Sequence, residues 1–342
     1  MRVLVSFMVL ASTPGYSQPP APTILRINAE SYLRYVYDGS PSEIWALQPV
    51  LVPLPPRRPT DQPEGQFWST IGLGDVSLVN GTAVKGTVSE QSTFFLTQAE
   101  FPRTATSAAP FNRDGLVTFT VEIADDSDRS IGSLIATGLV GGRPPAGITA
   151  TRPQGWAPPI WNMAIIGGTG AFVGARGQLV SHTSQAVMQY TSVQTMTTPS
   201  VRRRISSSRL RLSAYIIPET RPEVARSDGV PAVYHEDFSP VSAANPARPG
   251  EILILQATGL GPTDPGVDPG QRFPIDPLLE VLAPVSVLAN GQSAEVRNKV
   301  GWPGPTDRYR IDVRMPAGVS RSATLQIEAA WIPGGAVVIP VQ

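Results

Sequence analysis

Hydrophobic and polar residues alternate along most of this chain. In LVTFTVEIA (116–124), Val117, Phe119, Val121 and Ile123 share one side, and Thr118, Thr120 and Glu122 the other. A two-residue period predicts a β-strand with one face in a core. SYLRYVYDGS (31–40) predicts an aromatic strand ending in an Asp-Gly turn. FWSTIGLGDVSLVNGTAVKGTVSEQ (67–91) predicts strands about an Asn80-Gly81 hairpin turn. That turn is the better reading of Asn80-Gly81-Thr82, which also matches a glycosylation acceptor. SIGSLIATGLVGG, IWNMAIIGG, ARGQLVSHT, AVMQYTSVQTM and RLRLSAYIIP continue the series. No amphipathic helix of three turns is predicted.

Two proline-rich stretches, 51–65 and 143–159, read as surface loops, because proline removes a donor and fixes φ. PETRPEVARSDG (218–229) is polar and lacks periodicity, so it reads as a linker. Beyond it, EILILQATGLGP, APVSVLANGQSAEV, RYRIDVRMPAGV, ATLQIEAAWI and AVVIPV form a second strand series. Such spacing suggests a sandwich. The predicted fold class is therefore all-β: a signal peptide (1–17), a barrel domain (18–216), a linker (217–229) and an Ig-like β-sandwich (230–342).

Composition narrows the chemistry. The 342 residues include no cysteine and two histidines, His182 and His235. Thiolate metal sites, iron–sulfur clusters, disulfides and cysteine nucleophiles are excluded. The formal net charge is zero, which argues against nucleic acid as a partner. No segment reaches the ~18 apolar residues of a membrane-spanning helix. Arg2, the apolar Val3–Ala11 and the small residues Gly15 and Ser17 read as an export signal cut before Gln18. The expected location is secreted or periplasmic.

The glycine cluster AIIGGTGAFVGARGQLV (164–180) resembles a dinucleotide loop at first, but the match fails. Gly168, Gly170 and Gly174 are spaced G-x-G-x-x-x-G, one residue too long. The residues after the cluster alternate like a strand, where the pyrophosphate needs a helix N-terminus. A strand–turn–strand barrel corner fits better, with Phe172 as an inward plug. On the strand after the corner, Arg176, Gln178, Val180 and His182 share one face. If that face is inward, Arg176 is a cation inside a barrel and needs a partner.

Around IIGGTGAFVGARGQ (165–178) the chain resembles the dirigent proteins and the related allene oxide cyclases. YVYDG (35–39) is similar to their first barrel strand, and GSLIATG (132–138) to the strand that precedes the signature in the cyclases. The resemblance covers about 25–216 and implies an antiparallel eight-stranded β-barrel with an apolar pocket at one end. It implies binding of a small apolar or phenolic molecule, with guided cyclisation or coupling and no metal or organic cofactor. Any enzyme would be a cofactor-independent cyclase or isomerase, or a dirigent-type coupling guide.

By that resemblance, Arg176 and Asp38 are candidate catalytic residues, and Tyr37, Phe172 and Gln178 candidate ligand contacts. The plainer readings are a structural salt bridge for Arg176 and a turn residue for Asp38. A clear acidic pair is missing unless Asp125 and Asp126 serve. Homo-oligomers are common in these families. ATGLGPT (257–263), VSVLANGQSAEV (285–296) and YRIDVRMPAGV (309–319) resemble the Ig-like domains of secreted bacterial proteins. The alternative function is a non-catalytic extracellular or envelope scaffold.

His235-Glu236-Asp237 reads as a solvated turn rather than a metal site. In VRRRISSSRLRL (201–212), Arg209 and Arg211 read as an outward strand face and Arg202–Arg204 as a turn.

Overall fold

The structure is a computed structural model that describes residues 22–38, 66–96, 113–141, 161–182, 190–193, 202–206, 209–268 and 270–342. The expected export signal (1–17) and the proline-rich stretches 51–65 and 143–159 lie outside the described residues. The first half contains β1 (Thr23–Asp38), β2 (Gln66–Val79), β3 (Thr82–Ala83), β4 (Lys85–Leu96), β5 (Arg113–Ala124) and β6 (Ser130–Gly141). It continues with β7 (Trp161–Gly168), β8 (Arg176–His182), β9 (Tyr190–Val193), β10 (Arg202–Ser206) and β11 (Arg209–Ile217). A single 3-10 turn, Gly170–Phe172, is the helical element among the described residues.

Antiparallel ladders run β1-β2-β4-β5-β6-β7-β8-β11 and return to β1. The eight strands close a barrel, which leaves no free edge in that circuit. Residue alternation then decides what fills it. Leu25 and Ile27 of β1, Val121 and Ile123 of β5, Leu134 of β6, Leu179 of β8 and Leu212 and Ile216 of β11 are buried. Their neighbours Ile24, Arg26, Gln178, Arg211 and Tyr215 face outward. Asn80 and Gly81 take φ of 50° and 85°, which makes the expected two-residue hairpin turn.

Arg202–Arg204 lie in β10, which pairs with β1 and β9, so the expected turn there is corrected to a strand. The sequence misleads because three consecutive arginines hide any alternation.

The second half carries β12 (Glu223–Val224), β13 (Arg226–Ser227), β14 (Val230–Pro231), β15 (Val233–His235), β16 (Ile252–Thr258) and β17 (Thr263–Asp264). It ends with β18 (Glu280–Val281), β19 (Val285–Ala289), β20 (Gln292–Gly301), β21 (Tyr309–Arg314), β22 (Ser322–Ala329) and β23 (Ile332–Pro340). Its main sheet runs β12-β16-β21-β20-β19-β22-β23 around Leu253, Leu255, Ile311, Val287 and Leu325, a sandwich-like arrangement. The stretch 217–229, expected as a linker, is built into this unit. Val224 pairs with Ala257, both Val224 and Ala225 are buried, and the Ala225 N–H donates to the Gln256 carbonyl at 2.7 Å. Two-residue ladders leave no periodicity to read.

The two units meet at the glycine-corner end of the barrel. Ala171 packs so closely on Gly261 that a Cβ there would lie 2.9 Å from the alanine methyl. The Arg129 guanidinium, at the β5–β6 turn, reaches Asp125 and Asp264 of the second unit, each at 2.7 Å. Burial pushes the Asp125 carboxyl up, but hydrogen bonds from the Arg129 backbone and side chain and the Ser127 N–H outweigh it. The net shift is downward.

A lowered folded pKa means the carboxylate adds stability above the ordinary aspartate value of about 3.9, and loses it as pH falls through the folded value. Urea midpoints should therefore hold steady from neutral pH to about pH 5 and drop below about pH 4. Asp125→Asn should flatten that acid limb. An unchanged acid limb in the variant would remove Asp125 from the account.

Candidate functional site

The glycine corner forms as a strand, a tight turn and a strand. Gly170 and Gly174 take φ of 59° and 71°, conformations that side chains resist. At Gly168 the reason is space, since a Cβ would collide with the Phe172 carbonyl. Phe172 turns into the barrel and is 1% exposed, closing this end.

Beyond the corner, the inward face of β8 carries Leu179 and Ser181, both buried, while Arg176 and Gln178 are exposed on the outer wall. The inward alternative for Arg176 and Gln178 is thereby corrected. Gly177 backs directly onto the Tyr215 carbonyl of β11, which leaves no room for a Cβ at that position. Asp38 and Tyr37 close β1, with backbones paired to Trp68 and Ser69, and their side chains lie outside the described residues. His182 likewise ends β8, its side chain outside that set. Asp125 is committed to Arg129 and is not half of an acidic pair with Asp126.

The polar chemistry of the interior comes from other residues. Glu90, in the middle of β4, is 1% exposed. Its Oε1 accepts from Ser92 Oγ at 2.6 Å, and its Oε2 accepts from the hydroxyl of Tyr32. Ser92 and Tyr32 are buried as well. Burying a carboxylate costs several kcal/mol unless donors compensate, so paired hydroxyls are what such a group requires. Beside the cluster, Phe119 and Val117 of β5 pair with Glu90 and Ser92, and Val88 is the preceding inward residue of β4; all three are fully buried.

Two features of the wall bring these groups together. Ser31 takes a φ of 51°, and the β1–β2 register shifts between Glu30 and Leu33. Upstream of this bulge the inward residues of β1 are Leu25, Ile27 and Ala29; at the bulge the inward residue becomes Tyr32. Opposite, β2 presents Gly72 and Gly74. A Cβ on Gly72 would overlap the Tyr32 hydroxyl and lie 3.0 Å from Glu90 Oε2. The glycines provide the space in which the phenol meets the carboxylate.

Two more buried hydroxyls of the barrel lack a hydrogen-bond partner among the described residues, that of Thr23 at the start of β1 and that of Ser181 on β8. Ser181 is 1% exposed. A buried unpaired hydroxyl is costly and marks a place where a water or ligand fits. Glu90, Tyr32, Ser92 and Ser181 were all missed in the sequence. Glu90 and Ser92 were legible as one face of β4, but nothing local marks Tyr32 as inward. Among the described residues, no cluster of three metal-ligating side chains occurs. His235 instead contacts Glu251 at 3.3 Å and the Asn245 carbonyl at 3.2 Å.

No family model and no curated protein sequence matches this chain. A solved structure of a pterocarpan synthase dirigent protein aligns with 61% of this chain and 97% of its own, at 15% identity and a TM-score of 0.25. The barrel assignment rests on the strand pairings of this chain itself.

Two stability measurements check these placements. Phe172→Ala should cost about 3–5 kcal/mol in chemical denaturation, whereas Arg176→Ala should stay within about 0.5 kcal/mol of the parent. Equal costs would put the arginine inside. Tyr32→Phe removes one hydroxyl from a buried carboxylate and should cost about 1–3 kcal/mol. A neutral result would mean the phenol does not support Glu90.

Proposed function

We propose that the barrel binds a small, largely apolar molecule bearing a hydroxyl, and guides its ring closure by proton transfer at Glu90. The observation that carries this reading is the buried Glu90 carboxylate, which accepts at one oxygen from Tyr32 and at the other from Ser92, with Val88, Val117 and Phe119 buried beside it. A fold gains little from such a group, since apolar side chains of similar volume stabilise at least as well. Ionisable groups fixed in water-poor cavities are characteristic of acid–base sites. The unpaired Ser181 hydroxyl supplies a second polar contact for the bound molecule. Phe172 closes the corner end, so the molecule enters from the opposite end, where β4 runs on to Leu96 and β1 to Asp38.

The chemistry this arrangement supports is redox-neutral. A phenol or enol gives its proton to Glu90, its oxygen or carbon forms the new bond, and the proton returns to the atom of the same molecule that received the displaced electron pair. The balance needs no metal, nucleotide or oxidant. Orientation by the apolar walls supplies the stereochemical preference, as positioning does in any site that holds a near-attack conformer.

Native mass spectrometry of the full chain against a library of phenols and oxylipins tests the proposal. The parent protein should retain one chemical class. Glu90→Gln, which keeps the shape, should retain the same class but convert it at least about 100-fold more slowly. Full conversion by Glu90→Gln would overturn the role of the carboxylate. Failure of both proteins to retain any molecule would overturn binding altogether and leave the barrel as a non-catalytic scaffold.

A further inference from the structure

The outer wall of the barrel carries a second polar feature, unconnected to the lumen. An open groove of about 890 Å³ runs over β1 and β11 beside the Asn80-Gly81 turn. Arg26 and Asn28 of β1 lie across from Ser213 and Arg211 of β11, so the two arginines are diagonal neighbours on adjacent strands. Diagonal positions in an antiparallel pair are about 7–8 Å apart, within joint reach of long side chains.

None of the groove's lining residues is acidic. Glu30, further along β1, is paired with Arg209 at 3.4 Å. The guanidiniums of Arg26 and Arg211, the amide of Asn28 and the hydroxyl of Ser213 have no hydrogen-bond or ion-pair partner among the described residues. The side chain of Asn80 is different, since it is spent on the Arg26 N–H and the Ile24 carbonyl and shapes the groove wall. At one end, Ile24 and Tyr215 face each other across the strands and are 52% and 44% exposed.

We propose that this groove binds an acidic polysaccharide, a chain bearing uronate carboxylates. Arginine holds carboxylates bidentately. Asn28 and Ser213, set between the two arginines, suit sugar hydroxyls, and the Ile24–Tyr215 ledge suits the apolar face of a sugar ring. The groove is open along its length, which admits a chain and does not enclose a small molecule. Two cations suit sparse carboxylates better than the dense phosphates of nucleic acid, whose binding draws on many more contacts. A concave floor with two arginines also differs from the clusters of roughly four to eight basic residues that hold flat anionic membranes.

The test uses the full chain and sodium polygalacturonate as probe, in affinity electrophoresis and interferometry at low and moderate salt. The parent protein should be retarded by polygalacturonate and not by neutral dextran, and more weakly as salt rises. Arg26→Gln/Arg211→Gln should bind at least about tenfold more weakly, the loss expected for two charge-assisted contacts. Both side chains face solvent, and a thermal transition matching the parent's confirms that the double variant is folded. Asn28→Ala, with no charge change, should also weaken binding, which a purely non-specific charge effect would not produce. Glu90→Gln should bind polygalacturonate as the parent does, so this test and that of the lumen fail separately. Equal retention of parent and double variant, no retention of the parent, or tighter binding to duplex DNA or phosphatidylglycerol vesicles would each overturn the proposal.

Discussion

Everything inside this barrel depends on β1 being paired along both edges. The strand is sixteen residues long, and it bonds β2 on one side and β11, then β10, on the other. An irregularity in a strand paired on both edges changes the part of the interior that it lines. The bulge at Ser31 is such an irregularity. It shifts the register of β1 against β2 and brings Tyr32 in where simple alternation would bring Ser31. Had the strand run without the bulge, Glu90 would be buried without its phenol. The fold and the polar cluster therefore share one structural cause.

The cluster is also why β2 has glycine at two consecutive inward positions. Glycine weakens a strand, because it adds no side-chain packing and costs backbone entropy. At Gly72 and Gly74 that loss is offset by the Tyr32 ring, which occupies the vacated space and is itself 2% exposed. The exchange replaces two small wall residues with one large side chain that has a polar tip. A purely structural interior would more simply have used valine or leucine there, as the corner end of the same barrel does with Leu25, Ile27, Leu134 and Leu179. The barrel thus has a closed half lined mainly by apolar side chains and a half with a positioned carboxylate, and Phe172 marks the closed one.

Much of this was legible in the sequence. Alternation in β5 and β11 and the Asn80-Gly81 turn identify an all-β chain, and the misfit of the glycine cluster to a dinucleotide loop leads to a barrel corner. The orientation of the corner's outgoing strand was not legible. Arg176 and Leu179 stand in a sequence whose two faces are similarly mixed, and the pairing of β8 with β7 and β11 decides between them. The site was less legible still. Glu90 is a lone acid among serines and glutamines, and its phenolic partner lies 58 positions away on a strand whose register shifts at a bulge. Long-range pairing and a bulge are tertiary facts, which a local period cannot record. The segment 218–229 was hidden for a related reason: it joins a sheet through ladders too short to have a period.

A barrel wall one residue thick also separates the inner and outer chemistries. On β1, Arg26 and Asn28 belong to the outer groove while Ile27 and Ala29 between and beside them belong to the core. On β11, Arg211 and Ser213 face out while Leu212 and Ala214 face in. Neighbouring residues thus serve opposite surfaces, and the backbone ladder between them holds both. A change of charge on the outer face leaves the packing of Leu212 untouched, and a change at Glu90, on the far side of β2 from β1, leaves the arginines in register. The sheet lets one set of strands carry a lumen site and a surface site whose energetics are nearly independent, because distant side chains without shared partners contribute additively.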